Sequence, residues 1–152
     1  MSFAELVLRI GVTFVSWVML YMHLLMMLVV RLAQCPGGDV SPWQVTLMTG
    51  AMAFGSSFAL LYGHGVRGMR DVFRYFALPL LVLVPWSLWL SLPYLTGTTF
   101  GTLGVCEVRL AEISGAGAVG WQRVWAPVQL IVLLAIAVNG WRVWRPDAGK
   151  HR

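Results

Sequence analysis

At 152 residues, with 59% hydrophobic and 11% charged side chains, the chain carries less than half the charge of a soluble domain, where roughly 25% is usual. A mean hydropathy of +0.75 excludes a water-soluble enzyme domain and a disordered chain. The net charge of +5 does not indicate nucleic acid, because the basic residues are too few and too scattered to track phosphates.

Charge-free stretches predict the elements in chain order. Residues 10–30 lie between Arg9 and Arg31, 40–66 between Asp39 and Arg67, 75–106 between Arg74 and Glu107, and 124–141 between Arg123 and Arg142. About 20 apolar residues cross a bilayer core of roughly 30 Å, so each stretch accommodates one helix. The third is too long for one span and too short for two. Its second half, with Thr96, Gly97, Thr98, Thr99, Gly101, Thr102 and Gly104, reads as a loop.

The expectation is an all-α integral membrane protein, one domain over 1–152. Its four transmembrane helices are placed at about 8–32, 43–65, 75–95 and 122–142. Outer loops fall at 33–42 and 96–121, and an inner loop at 66–74. The first helix reads as a retained anchor, since its apolar run is long and no Ala-x-Ala site follows it.

Orientation follows from the basic residues. Arg9, Arg67, Arg70, Arg74, Arg142, Arg145, Lys150 and Arg152 fall on one side, and Arg31, Arg109 and Arg123 on the other. The first side, with both termini, is therefore expected to be cytoplasmic. Trp43, Trp121, Trp125, Trp141 and Trp144 stand at span ends and read as interface belts, whereas Trp17, Trp86 and Trp89 fall deeper and read as packing or lipid contact.

Polar residues within spans are expected to face the bundle. In the first helix Thr13, Ser16 and His23 share a face, a candidate ligand or polar bundle face. In the second, Thr46, Gly50, Ala53 and Ser57 form the expected helix-packing interface, because small residues let backbones approach. Pro79 and Pro127 fall in first helical turns, Pro85 predicts a mid-span kink, and Pro93 helps end the third helix.

No acidic residue lies inside the four assigned spans, which disfavours proton- or cation-coupled transport. His23 and His64 differ by roughly 19 Å in predicted depth, too far to share one haem iron. No cofactor is expected; the minor alternative is haem or copper shared with a partner, the latter through Met19, Met22, His23, Met26 and Met27. Cys35 and Cys106 both fall on the outer side, where a disulfide is permitted, the alternative being two free thiols. Arg67, Arg70 and Arg74 are candidates for lipid headgroup contact, although setting topology accounts for them equally well. The segment from Leu103 to Ile113 would suit a membrane surface or a partner.

With no catalytic set, phosphate loop or metal quartet, the expected function is a non-catalytic accessory or scaffolding subunit of a larger membrane complex. Respiratory or secretory complexes are the candidates, the partners being membrane lipids and other integral membrane subunits. The alternatives are a small binding or transport protein for an apolar ligand, haem or metal, and a membrane immunity or regulatory protein. Arginine outnumbers lysine ten to one, which points to a bacterial inner membrane.

Overall fold

The computed structural model describes residues 2–32, 41–63, 70–104, 108 and 120–145. Among them there is no strand. The helices are α1 (Phe3–Leu32), α2 (Ser41–Gly63), α3 (Arg70–Tyr75), α4 (Leu80–Tyr94) and α5 (Gly120–Trp144), with a π-helical turn at Leu95–Thr99 following α4. Among the described residues, three stretches, Phe3–Leu28, Phe73–Thr99 and Gln122–Trp144, are long and apolar enough to cross a membrane. The protein is thus a helical membrane protein.

Several boundaries differ from the sequence expectation, each for a physical reason. α1 starts at Phe3 because Ser2 Oγ accepts from the Glu5 amide at 3.2 Å and Glu5 pairs with Arg9 at 2.8 Å, one helical turn on. An acidic residue therefore stands in the first turn of a span, neutralised locally. Part of the expected inner loop is helix α3. Pro79 cannot donate an amide, and the chain passes from α3 to α4 through i→i−3 bonds, including Phe76 N to Phe73 O at 3.1 Å and Leu80 N to Ala77 O at 3.2 Å. Phe76 O, left without Leu80, instead accepts from the Tyr21 hydroxyl of α1. Helix α4 runs on through Pro85 and Pro93.

The threonine-rich stretch expected as loop begins as the π-helical turn. Threonine hydroxyls take up the carbonyls that regular helix bonding leaves there: Thr96 donates to Pro93 O at 3.0 Å and Thr98 to Tyr94 O at 2.6 Å. Thr98 and Thr99 also reach the Gln122 and Arg123 carbonyls of α5, at 3.3 and 2.9 Å.

Residue pairs set the helix directions. Thr13 meets Gly63 and His23 meets Thr49, so α1 and α2 are antiparallel. Thr46 meets Trp125 and Ser57 meets Asn139, so α2 and α5 are parallel. Leu80 meets Gly140 while Thr98 meets Gln122, so α4 is antiparallel to α5. One core joins Trp17, Leu20 and Leu24 of α1 to Ala53 and Leu60 of α2, Leu80 and Val84 of α4, and Leu133 and Ile136 of α5. A second, around Met27, Tyr94, Trp125 and Ala126, closes the other end.

Trp125 is not an interface residue as expected. It is fully buried, edge-on to Tyr94 at 5.3 Å, with its indole N–H donating to Thr46 Oγ1 at 2.9 Å. Trp141 is exposed and Trp144 half-buried. Trp86 and Trp89 face outward at 55% and 72% exposure, as lipid contact requires, whereas Trp17 is buried against Tyr21 and Phe76. The side chains of Trp43 and Trp121 lie outside the described set.

Candidate functional site

The most polar place in the interior is built around His23, where α1, α2 and α5 meet. His23 Nε2 lies 2.9 Å from Gln129 Oε1, and Nδ1 lies 3.0 Å from Thr49 Oγ1. The Gln129 amide group donates to Thr46 O at 3.1 Å, which fixes its oxygen toward His23. His23 Nε2–H is then the donor to Gln129, while the one proton of the Thr49 hydroxyl has two acceptors in reach, His23 Nδ1 at 3.0 Å and Thr46 O at 3.2 Å. Thr46, His23, Gln129 and Trp125 are all fully buried. Gly50 makes room: a Cβ there would lie 3.2 Å from Gln129 Nε2 and 3.3 Å from His23 Cε1.

The network consumes its own donors and acceptors. Both His23 nitrogens are within hydrogen-bond distance of side chains of the same chain, Thr49 and Gln129. The methionines disperse as well: Met27 packs in the core, Met22 is exposed, and Met19 lines an outer groove. Among the described residues no three His, Cys, Asp or Glu side chains gather as a metal site.

A second polar contact lies farther along the same seam. Asn139 donates to Ser57 Oγ at 3.1 Å, and Ser57 donates to Phe54 O at 2.7 Å. Thr46, Gly50, Ala53 and Ser57, the expected packing interface, are thus all buried, and Thr46, Gly50 and Ser57 contact α5 of the same chain. On α1, Thr13 donates to Arg9 O at 2.8 Å and packs on Gly63, while Ser16 is buried beside the outer groove. Arg9 also stacks on Tyr62, 4.7 Å from the ring centre.

Cys35, Cys106, His64 and Arg67 lie outside the described residues, as does the Arg70 side chain and most of the segment 103–113. Arg74 is described. Its guanidinium sits 5.6 Å from the Tyr75 ring centre and 5.2 Å from that of Trp144.

Two of the surface concavities among the described residues bear on these clusters. A wide groove of about 790 Å³ runs between α1 and α2, lined by Val7, Gly11, Val15, Met19, Met52 and Gly55 among others. Nothing lies within 4 Å of where a Cβ would stand on Gly11 or Gly55. A smaller pocket of about 260 Å³ lies between α4 and α5. Sequence reasoning missed both, because a groove depends on which faces the helices leave uncovered. Comparison with protein-family models, curated proteins and solved structures finds no match to this chain.

Proposed function

We propose that this protein is a non-catalytic accessory or scaffolding subunit of a larger complex in a bacterial inner membrane. In this reading α2 is a fourth span and both termini are cytoplasmic. At 23 residues α2 is about 34 Å long, enough to cross, and its outward side chains Met48, Phe54 and Phe58 suit lipid.

The observation that carries the reading is the groove between α1 and α2. From Val7 to Met19 it follows α1 for about 18 Å, the length of three helical turns. Open glycines on both walls, with Ala51 and Ala59 beside them, allow a third backbone to approach closely, which is how helices associate in lipid. Its occupant is a transmembrane helix of a partner subunit. The internal polar groups support the same view, since the His23 nitrogens lie against Thr49 and Gln129 of the bundle itself.

Native mass spectrometry of the protein released from its own membranes in mild detergent, at natural abundance, tests this. Emergence in fixed stoichiometry with larger subunits is expected. Emergence alone or as a homo-oligomer overturns the reading.

A further inference from the structure

We propose that the pocket between α4 and α5 seats an acyl chain of an anionic phospholipid whose phosphate is held by Arg74. The pocket walls are Ala77 in the turn before α4, Leu81, Val84 and Pro85 on α4, and Ala137, Trp141 and Trp144 on α5. Its volume of about 260 Å³ holds roughly eight methylene-sized groups, each near the size of a water. Almost all of its lining is apolar, so it suits hydrocarbon and offers nothing to a polar solute.

Arg74 supplies the matching charge. The Trp144 ring that borders the pocket also lies under the Arg74 guanidinium, so chain site and cation are continuous. The Trp144 and Tyr75 rings, 5.2 and 5.6 Å from the guanidinium carbon, hold the group by cation–π contact, and its terminal Nη N–H groups are the ones to meet a phosphate. Arg74 has no ion pair among the described residues, and its Nε is buried without a hydrogen-bond partner, whereas Arg9 is neutralised by Glu5. Asp71, on the same short helix, is exposed and does not pair with it. Arg142 and Arg145, exposed at the end of α5, are not among the residues that line the pocket. Trp141 and Trp144 mark headgroup depth, so a phosphate at Arg74 stands at the membrane surface with its chain below.

The inference rests on the membrane assignment and not on membership of a complex. Delipidated protein in detergent is titrated with phosphatidylglycerol or phosphatidylcholine and bound lipid is counted by native mass spectrometry. Wild type is expected to take one phosphatidylglycerol, favoured over phosphatidylcholine by about fivefold, the effect of one basic residue near a charged surface. Arg74→Gln should erase the preference while leaving uptake of either lipid, and Ala137→Phe should remove uptake of both. Leu81→Trp blocks the pocket from an exposed position and should act like Ala137→Phe if the latter perturbs folding. Arg145→Gln should change neither quantity. Equal uptake of both lipids by wild type, a preference that survives Arg74→Gln, or uptake that survives Leu81→Trp overturns the proposal. Alkaline carbonate extraction separately tests the membrane assignment, so the two failures are distinguishable.

Discussion

Gly63 of α2 and Thr13 of α1 meet so closely that a Cβ on Gly63 would lie 2.7 Å from the Thr13 Cβ and overlap its hydroxyl. The Arg9 carbonyl, which accepts the Thr13 hydroxyl, would be 3.1 Å away. The glycine is therefore required by the approach of two backbones. Gly63→Ala should destabilise the protein by about 1–3 kcal/mol, the usual cost of overpacking. Thr13→Ala in the same chain should restore part of the loss. Melting in detergent of both single variants and the double variant gives the coupling, and additive losses would refute the close contact.

The His23 network gives a second prediction. Replacing Gln129 with Leu strands the Nε2–H of His23 and removes one donor to Thr46 O, all in a fully buried place. A buried group left unpaired costs about 1–3 kcal/mol, and interhelical bonds in membranes fall toward the lower end of that range. His23→Leu should cost a similar amount, since it strands the Gln129 oxygen, while the Thr49 hydroxyl keeps its bond to Thr46 O. The double variant should lose less than the sum, because both partners of one bond are then gone. Neither change should remove a bound small mass from the purified protein. If His23→Leu abolishes such a mass while leaving the melting temperature unchanged, the side chain serves a ligand and not the bundle.

The groove yields an unusual prediction for glycine substitutions. Gly11 and Gly55 have open space where a side chain would stand, so Gly11→Leu and Gly55→Leu should change stability by less than about 0.5 kcal/mol, as surface substitutions do. Both would fill the groove and should prevent co-purification with larger membrane subunits. Gly63→Ala and Gly55→Leu are thus expected to behave oppositely: the first weakens the fold and the second only the association. Unimpaired co-purification of both leucine variants would remove the groove as the docking face.

How far these features can be read from sequence depends on what each one requires. The long apolar stretches and the shared face of Thr13, Ser16 and His23 follow from helical periodicity, and each of the three side chains is buried. The elements misread were ones where tertiary partners override local preference. Thr96, Thr98 and Thr99 have loop composition, yet their hydroxyls bind nearby and α5 carbonyls and sustain a π-helical turn. Trp125 stands at a span end, where an indole normally meets headgroups, but Tyr94 and Thr46 enclose it. Arg74 reads as a topology residue from sequence; only the fold brings Trp144 of α5 beneath it.

The membrane crossing of α2 gives the last prediction. If α2 spans, the chain crosses four times, and Cys35 and Cys106 both lie on the outer side. If α2 lies outside the bilayer, three crossings remain, and the two cysteines fall on opposite sides. The charge pattern favours four, since it gathers eight basic residues on one side against three on the other. Packing favours it too, because α2 is held between α1 and α5 by buried polar bonds while Met48, Phe54 and Phe58 stay exposed, an arrangement suited to lipid. Single-cysteine variants Cys35→Ser and Cys106→Ser, reduced and treated in intact spheroplasts with an impermeant maleimide, should therefore both label from outside. A cysteine placed at Ser2 in a chain lacking the other two should label only after permeabilisation. Labelling of Cys35 without Cys106 would instead mean that α2 does not cross, and the outer groove it forms with α1 would no longer be a transmembrane docking face.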